Sequence, residues 1–242
     1  MPDRLRFESD SLRCIRLDSR CFYSINAYGA LMVDKAFYQL FAEFDYILVY
    51  QLDCLVFADR LAEFCRLGYD YLAPLILARS DGCWPGSDIV GVGGFSLRRV
   101  GSFLRVLDLI ENPQFSAEAL SLEGRINRNG AEDMFWSLAA PVIDPCFSVA
   151  NPETALAFGF EGDPRLSYSR AGKQRPFGCH HWNSLFAFLW YFPWLPLSLT
   201  QRLRLVPPVF AELMISDLIG LGRRVSRRLI IAARPLLAVI KA

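Results

Sequence analysis

Asp53 comes directly after an apolar run, and this position gives its carboxylate a possible chemical role. The run Phe44-Asp-Tyr-Ile-Leu-Val-Tyr-Gln-Leu-Asp53 is rich in β-branched and aromatic residues, as expected for a buried strand. Open α/β sheets place their ligand-binding groups at the carboxyl ends of central strands. Asp53 could equally cap a helix over Phe57–Arg66, because aspartate is a favoured N-cap residue. The residues around Asp53 leave both interpretations open.

Glu132 and Asp133 are neighbouring carboxylates at the start of a second predicted helix. Acidic residues in the first turn complement the helix dipole, which is one explanation for the pair. The other is catalytic, since a carboxylate at the edge of a pocket can take the proton from an attacking hydroxyl group. His180 and His181 are the two histidines of the chain. An imidazole can complete a metal site or bind phosphate, but beside Trp182 it can also be a packed or capping residue.

The segment Gly91-Val-Gly-Gly-Phe-Ser-Leu contains two adjacent glycines, Gly93 and Gly94. It does not match the pattern GxGxxG, so a dinucleotide-binding turn is not expected. The pair could be merely a tight turn into a strand. Adjacent glycines also let a bulky ligand approach the backbone, which suits a sugar or a diphosphate.

The elements that must position these residues alternate between strand and helix, which predicts an α/β domain. After the glycine segment, apolar residues at helical spacing predict a helix over about Arg99–Ile110. The polar, irregular segment Asn112–Asn129 follows, and we interpret it as a lid. The preceding predicted elements are a strand at Ser11–Leu17, a helix at Asn26–Phe44, the strand ending at Asp53, a helix at Asp59–Leu67, a strand at Tyr69–Pro74 and a loop at Ala78–Asp88 around Trp84.

Composition limits the partners and the compartment. The chain has 242 residues, 53% of them hydrophobic and 21% charged, which suits one α/β domain with an appendage. A formal net charge of +1 gives no field that would attract nucleic acid. Seven cysteines without a Cys-x-x-Cys pair argue against a disulfide framework and a structural zinc site. With no apolar signal segment at the N-terminus, these features predict a cytoplasmic protein.

Residues 186–242 differ in character from residues 1–185, and we predict that they form a helical C-terminal extension. The apolar stretch Leu185–Leu199 is shorter than the roughly 20 residues that span a bilayer, and prolines interrupt it. The segment 211–242 places six basic residues among leucine and isoleucine, a pattern that can lie on an anionic membrane surface. The same pattern fits a helix packed on the domain or on a second copy.

Taken in chain order, these segments resemble a family of bacterial GT-A-like glycosyltransferases of largely unassigned specificity. The resemblance covers about residues 11 to 185. It rests on Tyr50-Gln-Leu-Asp53, Tyr69-Asp-Tyr-Leu-Ala-Pro74, Val92-Gly-Gly-Phe-Ser-Leu-Arg98, Glu132-Asp-Met-Phe135, Phe158–Glu161 and Pro176-Phe-Gly-Cys-His180 with Trp182.

The resemblance implies a GT-A-like, Rossmann-like fold with a mixed, mostly parallel sheet flanked by helices. The chain begins near what corresponds to the second strand of that domain, so the resemblance implies an N-terminal truncation without the first βα unit. It also implies a divalent cofactor, Mn²⁺ or Mg²⁺, held by Asp53, with His180 as a late ligand of the metal or of phosphate.

The implied reaction moves a sugar from a nucleotide-sugar donor to a surface glycan or a lipid-linked acceptor, by direct inverting displacement. Asp133, slightly preferred over Glu132, is implied as the base. The implied substrate-binding residues are Gln51, Gly93, Gly94 and Phe95 around the sugar, and Trp84 and Trp182 stacked on the sugar or the base.

Two positions depart from the family pattern and motivate an alternative. Gln51 stands at the first position of the acidic motif, and Val92 stands where the family usually has a polar asparagine. With the missing first unit, these departures favour a non-catalytic remnant that binds glycan or a partner transferase. A metal-dependent nucleotidyltransferase is less favoured, because we find no basic phosphate-binding loop near the start.

Overall fold

The computed structural model describes residues 15–78, 88–111, 131–204 and 209–210. Within these ranges the protein is a mixed α/β structure with small sheets and short helices. The predicted lid, Trp84 and the basic segment 211–242 lie outside the described residues.

Two short helices precede the first strand where the sequence predicts one long helix. Helix α1 spans Ile25–Leu31 and α2 spans Lys35–Gln39, after a 3₁₀ turn at Ser19–Phe22. The prediction of a continuous helix is wrong because Asp34 caps the second helix, its carboxylate accepting a hydrogen bond from the Ala36 amide at 2.8 Å. Met32 and Tyr38 are buried and attach this segment to the core.

The first sheet has the order β1-β6-β3, with β1 at Tyr46–Tyr50, β6 at Phe95–Arg99 and β3 at Tyr71–Leu72. Strand β6 runs antiparallel to both neighbours, and its register places Leu97 opposite both Leu48 and Leu72. The prediction of a mostly parallel sheet is therefore wrong for the described residues. The physical reason is that β6 is inserted in reverse direction between two strands that run the same way.

The second sheet has the order β2-β8-β7, with β2 at Cys54–Val56, β8 at Gly178–His180 and β7 at Gly159–Phe160. Strands β2 and β8 are antiparallel, with Cys54 opposite His180, whereas β7 and β8 are parallel. A separate antiparallel pair consists of β4 at Leu75–Ile76 and β5 at Ile89–Val90. The strand ends of the second sheet bring residues near 53, 161 and 180 together.

The remaining helices pack around an aromatic core. They are α3 (Leu61–Arg66), α4 (Val100–Glu111), α5 (Glu132–Met134), a π-helical turn (Phe135–Ala139), α6 (Ala140–Ile143), α7 (Pro152–Phe158), α8 (Pro164–Arg170) and α9 (Leu185–Tyr191). The predicted helix after the glycine segment is confirmed in α4. Phe103 and Trp136 lie at the centre of this core with ring centroids 4.0 Å apart, and Tyr38 and Phe147 pack against them.

The described part of the C-terminal region packs on the same core. Tyr191 of α9 is buried, and its ring lies 5.6 Å from that of Phe57. Arg202 donates hydrogen bonds to the carbonyl oxygens of Phe192 and Leu195, which fixes the turn after α9. In the ranges that the structure describes, no helix combines the length and the apolar character needed to cross a membrane.

Candidate functional site

The turn between β1 and β2 positions Gln51 and Asp53. The Gln51 amide donates to the Gly94 carbonyl oxygen at 2.9 Å, and the Cys54 amide donates to the Gln51 carbonyl oxygen at 3.0 Å. The chain then continues into β2, and the N-cap position of the following helix α3 is Arg60. Asp53 is therefore not the helix cap that its sequence context allowed. Its carboxylate faces the end of β8.

Two histidine nitrogens lie opposite the Asp53 carboxylate. His180 Nε2 is 3.3 Å from Asp53 Oδ1, and His181 Nε2 is 3.6 Å from Asp53 Oδ2. The three side chains can each offer one ligand atom, and these atoms all lie within 4.8 Å of one another. His181 adopts φ of 58°, a left-handed conformation that costs free energy for a non-glycine residue and is common at functional sites.

Glu161 orients both imidazole rings. Because β7 pairs in parallel with β8, the residue after β7 lies beside the end of β8. His180 Nδ1 donates to Glu161 Oε2 at 2.8 Å, and His181 Nδ1 donates to Glu161 Oε1 at 2.5 Å. Burial opposes ionisation of Glu161, but these two hydrogen bonds outweigh it and lower its pKa to about 2. The hydrogen bond to Glu161 is also the main cause that raises the pKa of His181.

This arrangement fits a divalent metal ion. With Nδ1 bound to Glu161, the Nε2 atoms of His180 and His181 both face the carboxylate of Asp53. His180 Nε2 also lies 3.1 Å from Gln51 Oε1. When Nε2 of each ring is unprotonated, its lone pair faces the carboxylate oxygens of Asp53, and a cation between these atoms offsets their repulsion. Two imidazoles and one carboxylate suit Mn²⁺, Fe²⁺ or Zn²⁺, whereas Mg²⁺ prefers an all-oxygen set. Of the two ions implied by the sequence, the donor set favours Mn²⁺.

The paired acids at the start of α5 line the same cleft as the histidines. This main cleft has a volume of about 680 Å³. Its lining includes Gln51, Gly93, Gly94, Glu132, Asp133, Glu161, His180 and His181, with Phe22, Ile25, Tyr28 and Ile76 among the other side chains. Asp53 adjoins the lining through its contacts with the two histidines.

Arg98 holds Glu132 from beneath the cleft. Its side chain is 0% exposed, and Nη2 lies 3.2 Å and 3.3 Å from the two Glu132 carboxylate oxygens. Its other donors bind Tyr38 Oη at 2.7 Å and Ser96 Oγ at 2.8 Å. Burial raises the pKa of Glu132 to about 7, with Arg98 opposing the shift and Asp133 adding to it. The two contacts with Arg98 Nη2 thus fix the position of the Glu132 carboxyl group.

Asp133 is the less constrained of the two acids. Its carboxylate accepts a hydrogen bond from the Met134 amide at 2.9 Å, and no cationic side chain of the described ranges forms an ion pair with it. Burial raises the pKa of Asp133 as well. A half-buried carboxylate with a raised pKa and free lone pairs is suited to accepting a proton from a bound hydroxyl group.

Gly93 and Gly94 are required by neighbouring protein side chains. A Cβ atom on Gly93 would collide with the Glu132 carboxylate, and one on Gly94 would collide with the Gln51 amide and lie 2.6 Å from His180 Nε2. The sequence predicted that these glycines make room for a ligand. The structure places both on the main cleft, but the space beside their Cα atoms is filled by the site's own side chains.

Two predicted aromatic contacts lie elsewhere. Phe95 is fully buried in the core, where its ring stacks 4.9 Å from Phe158 and 5.9 Å from Phe177, so it does not line the main cleft. Trp182 is half-buried, and its indole Nε1 donates to the Leu52 carbonyl oxygen at 3.3 Å. It fixes the turn that carries Asp53 and is not among the residues that line the cleft.

Sequence reasoning missed several residues of the site. His181 was visible as half of a histidine pair, but nothing assigned it a ligand role separate from that of His180. For Glu161, Arg98 and Tyr28 the sequence contained weaker indications of a role in the site. Tyr28 lines the cleft and forms a side-chain hydrogen bond with Gln51. Glu161 carried the clearest signal, as an acid directly after a short apolar segment, Ala155–Phe160.

Comparison with known proteins gives a family but no activity. A family model described as "Protein of unknown function (DUF5672)" matches residues 11–180, which include Asp53, Glu132, Asp133, Glu161 and His180. Neither the curated proteins nor the solved structures contain a match to the chain. Because the family model covers well over half of the 242 residues, the chain belongs to the DUF5672 family.

Proposed function

We propose that this protein is a metal-assisted glycosyltransferase that moves a sugar from a nucleotide-sugar donor to a hydroxyl group of an acceptor. One observation supports the proposal: the side chains of a candidate metal-ligand cluster and a pair of carboxylates meet at one cleft. A divalent ion held by the candidate ligands would bind the diphosphate of the donor, and the carboxylates suit the hydroxyl group of the acceptor. Transfer of a sugar from this donor to this acceptor needs both groups.

Each side chain has a definite role in this reaction. A divalent ion held by Asp53, His180 and His181 would supply positive charge to the departing diphosphate. Asp133 takes the proton of the acceptor hydroxyl group. At the same time the oxygen of that hydroxyl group bonds to the anomeric carbon, and the bond between this carbon and the diphosphate breaks. Glu132 keeps its ion pair with Arg98 and fixes the start of α5, which positions Asp133. Direct displacement by this route inverts the anomeric configuration.

The acceptor in this proposal is a surface glycan or a lipid-linked sugar. The aromatic and aliphatic side chains of Phe22, Ile25 and Tyr28 give one side of the main cleft an apolar surface. Contact with a membrane rests on the basic and apolar pattern of residues 211–242 and stays a prediction from the sequence.

The test is release of nucleoside diphosphate from a panel of nucleotide sugars with Mn²⁺, using the purified protein. We expect Asp133→Asn to lower turnover about 100-fold or more while donor binding persists, because a general base contributes about 10²–10⁴-fold. We expect Asp53→Asn to weaken Mn²⁺-dependent donor binding itself. Asp59→Asn, which changes an exposed acid after β2, is the matched control and should behave as the wild type.

Three outcomes would contradict the proposal. Mn²⁺-dependent donor binding that is the same in Asp53→Asn and Asp59→Asn would remove the metal site. Turnover that is insensitive to Asp133→Asn would remove the base. Donor binding without any turnover across the panel and a set of glycan acceptors would instead support a non-catalytic glycan-binding protein.

A further inference from the structure

A second cavity of about 540 Å³ lies on the other face of β4 from the main cleft. Successive side chains of a strand point to opposite faces. Ile76 lines the main cleft, and Leu75 lines the second cavity, so β4 separates the two. No step of the proposed reaction uses the second cavity.

Three arginines from separate elements line this second cavity, which we call the arginine cavity, and Glu153 is the one acid among its described lining residues. Arg60 precedes α3, Arg170 ends α8, and Arg175 lies in the segment that leads to β8. Guanidinium groups that converge from different elements are typical of sites for phosphate and carboxylate groups, which they bind with paired hydrogen bonds.

The three arginines differ in how far they are already paired. Arg60 pairs with Glu63 at 2.8 Å at the surface, where ion pairs contribute little to stability. Arg170 pairs with Asp88, whose side chain is 18% exposed. Arg175 lies 5.7 Å from the ring centroid of Trp194, and no carboxylate of the described residues forms an ion pair with it. Its charge is therefore the one that an anionic ligand would neutralise most directly.

The turn that carries Arg175 is held in a fixed shape. Gly172 and Lys173 both adopt positive φ, 61° and 62°, and the Lys173 amide donates to the Tyr168 carbonyl oxygen at 2.8 Å. A non-glycine residue held in this conformation costs free energy that the surrounding structure must supply. The backbone that leads to Arg175 is thus fixed without a ligand, which lowers the entropic cost of binding.

The other lining groups suit hydroxyl groups and an apolar ring face. Glu153 and Gln174 offer oxygen acceptors, and Leu75, Leu156 and Ala157 provide an apolar surface. Sugar rings present both hydroxyl groups and apolar C–H faces. We propose that the arginine cavity binds an acidic sugar unit, that is, a sugar that carries a phosphate or a carboxylate group.

The experiment is isothermal titration of the full-length chain, without added metal and with a chelator present. The probes are glucose 6-phosphate, glucuronate, glucose and inorganic phosphate. We expect one or both acidic sugars to bind, glucose to bind too weakly to detect, and inorganic phosphate to bind more weakly than glucose 6-phosphate. The two acidic sugars distinguish a phosphate ligand from a carboxylate ligand.

Two arginine variants locate the binding. Arg175→Ala should weaken binding of the acidic sugar about tenfold or more, as expected for a lost hydrogen bond between charged groups. Arg165→Ala is the matched control, because Arg165 also stacks on an aromatic ring, 4.6 Å from the Phe186 centroid, but does not line the cavity. It should bind as the wild type does.

The proposal is overturned if neither acidic sugar binds, or if Arg175→Ala and Arg165→Ala weaken binding equally. Inorganic phosphate binding as tightly as glucose 6-phosphate would also overturn it, because the sugar would then contribute nothing. None of these results depends on the metal site. The proposed glycosyl transfer can therefore fail while this inference holds, and this inference can fail while the proposed glycosyl transfer holds.

Discussion

Glu161 determines, at the scale of single residues, what His180 and His181 can offer to a metal. Because its two carboxylate oxygens each accept from one Nδ1 atom, both rings turn Nε2 toward Asp53, and His180 Nε2 also lies 3.1 Å from Gln51 Oε1. A carboxylate behind a histidine ligand fixes the ring orientation and raises the basicity of the ligand atom. One acid thereby orients two candidate metal ligands at once.

Glu132 gives a prediction on stability against pH. Its pKa is raised to about 7 from a value of 4.5 in the unfolded chain, so the folded state binds the proton more tightly. Stability contributed by this proton is fully present below the unfolded pKa and is lost as pH rises through about 7.

Urea unfolding of the wild type and of Glu132→Gln at several pH values measures this effect. Glutamine cannot ionise, so the free energy of unfolding of the wild type should fall relative to that of the variant as pH rises from about 4.5 to 7.5. Asp59→Asn is the control and should change in parallel with the wild type. A constant difference between wild type and Glu132→Gln over this range would contradict the assignment.

The sequence indicated Asp53 because it follows a predicted strand, and Glu132 and Asp133 because they are neighbouring acids at a predicted helix start. It indicated His180 as one of the two histidines of the chain. It could not indicate Arg98 in the same way. A fully buried arginine is an exception to the tendency of charged side chains to stay exposed, and it is accommodated only because Tyr38, Ser96, Gly93 and Glu132 satisfy its donors. Those partners come from segments far apart in the chain.

At the scale of elements, the second sheet assembles the candidate metal ligands. Asp53 precedes β2, Glu161 follows β7, and His180 ends β8, and the pairing of these strands brings the three together. The parallel pairing of β7 with β8 could not be predicted, because both strands are very short and their register depends on long-range packing. The strand before Asp53 was predictable, since its apolar run is long.

Gly178 gives a prediction on this sheet. A Cβ atom there would lie 2.5 Å from both the Leu55 carbonyl oxygen and Phe95 Cζ, so the backbone of β2 and a core ring would have to move. We expect Gly178→Ala to lower the free energy of unfolding by about 1–3 kcal/mol, the usual cost of overpacking.

Gly101 is the matched control for Gly178. It lies in α4, and a Cβ atom added there would have no neighbouring atom within 4 Å, so Gly101→Ala should leave stability unchanged or raise it by up to about 1 kcal/mol. Chemical denaturation of both variants measures the two values. Equal effects of the two substitutions would contradict the close packing between β2, β8 and Phe95.

At the scale of the whole molecule, β4 has a cleft on each face. The main cleft combines candidate metal ligands with carboxylates, and the arginine cavity combines cationic groups with oxygen acceptors. The sequence predicted the α/β class from the alternation of strands and helices, but not this division. Both clefts are formed by residues from distant segments, and local patterns do not encode which segments meet.

The most direct test of the proposed metal site is titration of Mn²⁺ into the purified, metal-free protein, with the heat of binding measured by isothermal calorimetry. We expect the wild type to bind one Mn²⁺ ion per chain, and Asp53→Asn, His180→Gln and His181→Gln each to weaken that binding about tenfold or more, with Asp59→Asn unchanged. Mg²⁺ should bind more weakly than Mn²⁺, because the donor set contains two imidazoles. Failure of the wild type to bind Mn²⁺, or equal affinity in all four variants, would contradict the central claim.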